Sequence, residues 1–264
     1  MAARSPNRKP SMSIRDENPS RNWFAQGGSA YARFRPTYPA DLATYLVSVS
    51  PDKRLAVDVG CGTGQLTAQL GSHFAQVVGF DPSADQLANA AQHPHVRYER
   101  APAESLPLDA GTVSLVTAAQ AAHWFDLPAF FGEVRRVAAP GAVVALATYG
   151  VLELEPEVSQ VFSRFYRDVI GPFWPPERAL VDSGYSTIDF PFSELPAPRM
   201  AIRQAWNLPE LLGYVSTWSA VRAAVDAGRQ DLLASFADDI GGAWGDAGAR
   251  RSVSWPIALR IGRV

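Results

Sequence analysis

Three glycines at every second position follow a short apolar strand near residue 60. Gly60, Gly62 and Gly64 come directly after the strand predicted over residues 54–59, and a helical pattern begins at Gln65. Because glycine has no Cβ, the chain can turn sharply here and leave backbone N–H groups bare toward a ligand at a helix N-terminus. The spacing therefore predicts a loop that binds a nucleoside-containing cofactor.

Two carboxylates narrow the choice of cofactor. Asp58 stands two residues before the loop, and Gln65 occupies the place of the third glycine in the dinucleotide pattern G-x-G-x-x-G. A carboxylate would repel a pyrophosphate and attract the ammonium group of an amino-acid tail, which favours S-adenosylmethionine over NAD. Asp81 ends a second apolar strand and is placed to accept hydrogen bonds from two ribose hydroxyls. The alternative for Asp81 is a helix cap, although Ser83 with a glutamine three residues later already forms a capping box.

The loop and Asp81 together resemble the class I S-adenosylmethionine-dependent methyltransferases. The resemblance extends over residues 22–264, and the stretches at 174–178 and 217–220 are similar to the type 11 small-molecule subfamily that includes trans-aconitate methyltransferases. It implies S-adenosylmethionine as cofactor and S-adenosylhomocysteine as product. The predicted cofactor-binding residues are Arg35, Asp58, Gly60, Cys61, Gly62, Gly64, Asp81, Pro82, Gln86, Ala103, Glu104, Ala119 and Gln120.

An aromatic run precedes the first strand. It reads Tyr-Ala-Arg-Phe-Arg-Pro-Thr-Tyr-Pro over residues 31–39. By the resemblance this segment folds over the cofactor, so that Arg35 pairs with the methionine carboxylate and Tyr31 stands near the transferable methyl group as a catalytic candidate. The alternative is a solvated Arg35 and a Tyr31 that fills the core.

Two later loops supply further candidates. The resemblance implies that Ala103 and Glu104 line the adenine pocket, where a plain exposed turn is the alternative. After the fourth strand, small residues lead into His123 and Trp124, at the end of the strand where open α/β sheets bind ligands. His123 is a candidate general base because its free pKa lies near neutrality, and Trp124 is a candidate wall of the acceptor pocket. A packed structural histidine is the alternative.

Strand and helix patterns alternate along the first half of the chain. Strands are predicted over 54–59, 76–81, 95–100, 113–119 and 142–149, with helices over 40–50, 65–73, 83–92 and 127–138. Two more strands are predicted over 200–207 and 252–262. Such alternation predicts an α/β fold, doubly wound around a mostly parallel seven-stranded sheet of the Rossmann-like methyltransferase type.

Four segments follow from these patterns. Residues 1–21 are polar and predicted to be a disordered tail, and 22–150 form the cofactor-binding core. Residues 151–250 are predicted to be an inserted helical lid, rich in aromatic residues and prolines, that contributes one sheet strand and contacts the acceptor through Trp174 and Trp218. Residues 251–264 are predicted to be a final edge strand. The alternative for the lid aromatics is that they form the insertion's own core.

Composition excludes several classes of function. The net charge of −2 provides no basic surface for a nucleic acid, and no apolar stretch is long enough to cross a membrane. Cys61 is the only cysteine, which indicates a reducing, cytoplasmic setting and a small apolar filler rather than a nucleophile. No cluster has the spacing of metal ligands, so no metal is predicted. A monomer or a homodimer is expected.

The hypothesis is therefore an enzyme that transfers a methyl group from S-adenosylmethionine to a small molecule. O-methylation of a carboxylate or hydroxyl is the first choice because of the trans-aconitate resemblance. The alternatives are N-methylation of a small heterocycle, a nucleotide-dependent oxidoreductase, and a non-catalytic cofactor-binding protein on the same fold.

Overall fold

The computed structural model describes residues 36–264, and one mixed sheet forms its centre. The strands are β1 (Leu55–Val59), β2 (Gln76–Phe80), β3 (Val96–Glu99), β4 (Val113–Ala119), β5 (Ala138–Tyr149), β6 (Glu153–Leu154), β7 (Ser193–Glu194), β8 (Met200–Trp206) and β9 (Arg251–Arg263). Strands β1 to β5 are parallel and lie in the order β3-β2-β1-β4-β5. This order places β1 and its glycine loop between β2 and β4.

Strand β9 runs antiparallel to its neighbours and has a partner on each side. Ile257 pairs with Tyr149 of β5 and also with Met200 of β8. Strand β6 pairs with β9 on the same side as β5, and β7 pairs with β9 on the same side as β8. Because β5 and β6 share one position and β7 and β8 share another, the nine strands occupy seven positions across the sheet. The predicted doubly wound, mostly parallel fold is confirmed. The prediction that the last strand lies at the edge is wrong, because the region before it supplies two strands that pair outside it.

Helices cover both faces of the sheet. Their bounds are α1 (Ala40–Val49), α2 (Gln65–Gly71), α3 (Ala84–Ala88), α4 (Leu127–Val137), α5 (Pro156–Arg164), α6 (Arg178–Asp182), α7 (Leu208–Ser216), α8 (Ser219–Asp226) and α9 (Gln230–Trp244), with short 3₁₀ turns at Ala122–Trp124 and Gly171–Phe173 and a π turn at Phe165–Val169. Helix α3 is shorter than predicted. The N–H of Ala91 donates to the carbonyl of Thr63 at 3.0 Å, so the chain leaves the helix and bonds to the glycine loop.

Two hydrophobic cores lie on opposite faces of the sheet. Successive residues of β1 point to opposite sides, so Ala56 packs in the core with α1 and α2, and Val57 packs in the core with Phe130 and Val134 of α4. Strands buried on both faces are typical of parallel sheets covered by helices. The central strands are therefore packed on both faces of the sheet.

Residues 151–250 form a helical, aromatic-rich region that continues the first of these cores. Trp218 is only 4% exposed and lies at its centre. Five rings have centroids within 6.5 Å of its own: Phe162, Phe165, Tyr166, Trp174 and Tyr214. No helix within residues 36–264 combines the length and the apolar composition that crossing a bilayer requires.

Candidate functional site

A cavity of about 390 Å³ opens at the carboxyl ends of β1, β2 and β4. Its walls include the glycine loop after β1, Asp81 and Pro82 after β2, and residues 119–121 after β4. Ligands of open α/β sheets bind outside the carboxyl ends of the strands, at this kind of position. The strand order alone thus brings three separate loops to one cavity.

The glycine loop has a backbone that favours glycine. Gly60, Gly62 and Gly64 have φ of +67°, +54° and +75°, in the left-handed region. A Cβ on Gly60 would lie 2.5 Å from the Cβ of Ala121, whereas the nearest atom to a Cβ on Gly62 is Gln86 Oε1 at 3.7 Å. Gly60 is therefore required for packing against the β4 loop, and Gly62 keeps a side chain out of the cavity.

The cysteine of this loop lines the cavity and is half-buried. Burial raises the pKa of the Cys61 thiol well above its usual value, and the nearby Asp58 carboxylate adds to the effect. A thiol that stays protonated is a poor nucleophile. Its surroundings agree with the prediction of a small filler.

Asp81 joins the glycine loop to the end of β2. Its Oδ2 accepts the N–H of Gly62 at 2.9 Å, and its Oδ1 accepts the N–H of Ser83 at 2.8 Å. Burial raises the pKa of this carboxyl, and the two backbone hydrogen bonds act in the opposite direction. Because each carboxylate oxygen accepts more than one hydrogen bond, both retain capacity for ligand hydroxyls.

Gln86 has a buried carbonyl that lacks a partner. Ser83 caps α3 by accepting the Gln86 N–H at 3.3 Å, but Gln86 Oε1 makes no hydrogen bond within residues 36–264. The predicted capping box is therefore only half formed. Gln86 is 4% exposed and lines the cavity, so its carbonyl is an acceptor that a ligand donor would satisfy.

Asp58 is buried at the end of β1 and holds two hydroxyls. Thr67 Oγ1 donates to its Oδ2 at 2.6 Å, and Thr117 Oγ1 donates to its Oδ1 at 2.7 Å. Burial raises the pKa of Asp58 to about 6, against the opposing hydrogen bonds. The carboxylate lines the cavity, but the structure adds two threonine partners that the sequence had not indicated.

The loop after β3 forms another wall. Ala103 and Glu104 of this loop line the cavity, as does Pro82 after β2. One oxygen of Glu104, Oε1, accepts the N–H of Asp126 at 2.9 Å, which ties this loop to the start of α4. The carboxylate is thus held in place and keeps acceptor capacity for an amino group.

Two neighbouring residues predicted after β4, His123 and Trp124, differ in whether they line the cavity. Ala119, Gln120 and Trp124 line the cavity. His123 belongs to the adjoining 3₁₀ turn, and its Nδ1 lies 2.8 Å from the hydroxyl of Tyr185. His123 is not among the residues that line the cavity, so its role as a base stays a prediction.

Comparison with known proteins identifies the family. A family model described as a methyltransferase domain matches residues 57–146. A putative methyltransferase of Dictyostelium discoideum is 35% identical over 214 residues, which cover 80% of this chain and 81% of that protein. The solved structure of a putative type II methyltransferase from Anaeromyxobacter dehalogenans has a TM-score of 0.82 and 46% identity, covering 87% of this chain and 98% of that one. The chain belongs to the class I S-adenosylmethionine-dependent methyltransferases.

A trans-aconitate 2-methyltransferase of Deinococcus radiodurans is a further relative of this methyltransferase. The two are 35% identical over 123 residues, which cover 44% of this chain and 46% of the relative. The predicted enzyme class is confirmed, and the oxidoreductase alternative has no support. Within residues 36–264, no group of three or more His, Cys, Asp or Glu side chains is arranged to hold a metal ion.

Two predicted acceptor residues of the methyltransferase lie in the aromatic cluster. Trp218 is enclosed by other rings, and Trp174 packs between Trp218 and the guanidinium of Arg178, which lies 4.6 Å from the Trp174 ring centroid. Neither residue lines the cavity. The prediction of direct acceptor contact is therefore corrected for Trp218, because burial among aromatics was the more favourable arrangement. Tyr31 and Arg35 lie outside the described residues.

Three aromatic residues of the cavity wall were missed at the sequence level. Tyr38, Phe125 and Tyr149 line the cavity. Tyr149 ends β5, so the rule that ligands bind at strand ends would have found it. Tyr38 lies in the aromatic run before the first strand, and Phe125 directly follows a predicted residue. In both cases the motif indicated the region but not the individual side chain.

Proposed function

We propose that the methyltransferase binds S-adenosylmethionine in this cavity and transfers the methyl group to an oxygen of a small-molecule carboxylate or hydroxyl. The observation that carries the proposal is the arrangement around Asp81. Its two oxygens hold the backbone of the glycine loop and of α3, and the unpartnered carbonyl of Gln86 lies beside the same loop. These acceptors suit the hydroxyls of a ribose.

The remaining walls suit the other parts of the cofactor. Ala103, Glu104 and Pro82 line the same cavity, which supports the assignment of Ala103 and Glu104 to the adenine edge. Asp58 favours a cationic amino-acid arm through its charge, although threonine hydroxyls already occupy both of its oxygens. Ala119 leaves room beside that arm. Arg35 as partner of the carboxylate, and Tyr31 near the methyl group, stay predictions.

S-adenosylmethionine, when bound, would supply a methyl group on a sulfonium, from which in-line displacement by a nucleophile releases S-adenosylhomocysteine. The residues of the chain contribute position, because holding donor and acceptor in contact supplies much of the acceleration. Trp124 lines the cavity as a wall against which an acceptor packs. The relative whose name specifies trans-aconitate supports a carboxylate acceptor for this chain. An ionised carboxylate needs no base, whereas a hydroxyl does.

Titration of the purified protein with S-adenosylhomocysteine tests the cofactor site. Asp81→Ala should weaken binding by about 1.5–3 kcal/mol for each charged hydrogen bond lost. The matched control is Asp85→Ala, which removes an exposed carboxylate on the neighbouring helix α3 and should leave the affinity unchanged. Equal affinities for Asp81→Ala and the native protein would remove Asp81 from the site.

A panel of matched acceptors tests the reaction. Compounds that differ only in a carboxylate, a hydroxyl or a ring N–H should be incubated with S-adenosylmethionine, and the products identified by mass and by their sensitivity to mild alkaline hydrolysis, which cleaves methyl esters. Methyl esters or methyl ethers are expected. Methylation at nitrogen alone would overturn the oxygen assignment while leaving the cofactor site intact.

A further inference from the structure

A half-buried tyrosine of β3 packs against the glycine loop without lining the cavity. Tyr98 pairs in register with Gly79 of β2. A Cβ on Gly79 would lie 2.7 Å from Tyr98 Cδ1, and a Cβ on Gly64 would lie 2.1 Å from the hydroxyl oxygen of Tyr98. A glycine within a strand often marks the close approach of another group. The phenol ring therefore crosses Gly79 and ends against the loop at Gly64.

The hydroxyl of Tyr98 is hydrogen-bonded to the segment that follows α3. It donates to the carbonyl of Ala91 at 2.7 Å. The N–H of Ala91 in turn donates to the carbonyl of Thr63 at 3.0 Å, and Thr63 lines the cavity next to Gly62. Tyr98 thus meets the glycine loop twice, directly at Gly64 and through Ala91 at Thr63.

Gly64 differs in its surroundings from the other glycines of the loop. Gly60 and Gly62 line the cavity, whereas Gly64 does not. Its φ of +75° and the position of the Tyr98 hydroxyl both disfavour a side chain there. The third glycine of the pattern therefore leaves room for the phenol, and the loop is held by Asp81 at the cavity and by Tyr98 at the start of α2.

We propose that Tyr98 is a positioning residue for cofactor binding, which supports the glycine loop at Gly64 and Thr63, and that position 64 is glycine in order to admit the phenol. A loop that is already held in its binding conformation loses less freedom when a ligand binds, which increases affinity. The cofactor affinity of the cavity therefore depends on a side chain that does not line it. The proposal rests on the proposed cofactor site.

Titration of full-length Tyr98→Phe with S-adenosylhomocysteine tests the hydroxyl. The variant keeps a ring against both glycines and loses one hydrogen bond to a neutral acceptor, so binding should weaken about fivefold. The matched control is Tyr45→Phe, which removes another half-buried phenol hydroxyl that donates to a backbone carbonyl, that of Pro196. The control should bind with native affinity.

Denaturant unfolding of the same variants separates positioning from stability. If Tyr98 only stabilised the fold, Tyr98→Phe would lower the free energy of unfolding and leave the affinity of the folded protein unchanged. That result would overturn the proposal, because the affinity is measured where the protein is fully folded.

A double-mutant cycle tests the ring and the glycine together. A Cβ on Gly64 would meet the Oη, Cζ and Cε1 atoms of Tyr98, and Tyr98→Leu removes all three. The positive φ of Gly64 is present in both backgrounds. Gly64→Ala should therefore weaken binding about fivefold more in the native background than in Tyr98→Leu. Equal losses in the two backgrounds would show that Gly64 acts independently of Tyr98, against the proposal.

Asp81→Ala distinguishes a failure of this proposal from a failure of the cofactor site. Weakened binding in Asp81→Ala together with native affinity in folded Tyr98→Phe would overturn the positioning role and leave the site intact. Native affinity in both variants would place the cofactor elsewhere, and the proposed site and the positioning role would then both fail.

Discussion

The strand-end loops and the aromatic cluster of residues 151–250 both contain side chains that were predicted to bind a ligand. Of these two regions, only the loops contribute residues to the cavity wall. Asp81 is tied by two backbone N–H groups and stays at the cavity wall. Trp218 is enclosed by rings of its own region. Polar groups held by the backbone keep their position, whereas aromatic rings gain more by burying one another. An aromatic-rich composition is therefore evidence for a packed core first, and for a binding site only second.

The largest expected effect separates the two regions by stability. Trp218→Ala should lower the free energy of unfolding by about 3–5 kcal/mol, because a large buried ring leaves a cavity. The affinity of the folded protein for S-adenosylhomocysteine should not change, since Trp218 is not among the residues that line the cavity. Denaturant unfolding and titration measure the two quantities. Val225→Ala, at an exposed position on helix α8, is the control. A large loss of affinity in folded Trp218→Ala would break the comparison.

In the glycine loop, a substitution is expected to reduce cofactor binding more than it reduces stability. Gly62→Val should cost about 1–3 kcal/mol of stability through its positive φ. It should weaken cofactor binding more severely, by about 100-fold or nearly 3 kcal/mol, because the new side chain enters the cavity. Gly132→Ala is the control, since a Cβ there meets nothing within 4 Å in helix α4. A folded Gly62→Val protein with native affinity would contradict the loop assignment.

A smaller effect concerns pH. Burial raises the pKa of Asp58 from 3.8 to about 6. Between these values the native state binds more protons than the unfolded state, so this group's contribution to stability falls as pH rises through the window. A bound cation favours ionised Asp58, so cofactor affinity should be full above pH 6 and fall by about tenfold at pH 5. Methylthioadenosine lacks the amino-acid arm and should show a weaker dependence. Equal dependence for both ligands would assign the effect to the ribose site at Asp81.

The smallest expected effect concerns Trp174, at the boundary of the aromatic cluster. Trp174 is half-buried at the rim of the cluster and packs on Trp218. Because the sequence predicts that Trp174 contacts the acceptor, Trp174→Ala should raise the acceptor KM about fivefold, equivalent to about 1 kcal/mol, and leave cofactor affinity unchanged. Steady-state kinetics measure both. A change in cofactor affinity alone would show that the cluster acts on the glycine loop instead.

Most of the fold was predictable because its signals are local. Strand β4 has the predicted bounds, and β1 and β2 end within one residue of them, since short apolar runs between turn residues determine such elements. The glycine loop and Asp81 are separated by about 20 residues along the chain, and strand order brings them together in any sheet of this type. Asp58 and Asp81 were found at the cavity for this reason, whereas Glu104 was found through the family resemblance.

The sequence by itself thus determined the parallel sheet, the position of the cavity and its acidic residues. Only the tertiary structure decided that β9 lies inside the sheet, that Trp218 is a core residue and that His123 meets Tyr185. The physical reason is sequence distance: His123 and Tyr185 are 62 residues apart, and Gln120 and Tyr149 are 29 apart. Contacts of this kind depend on how whole helices and strands pack, and no local pattern of residues contains that information.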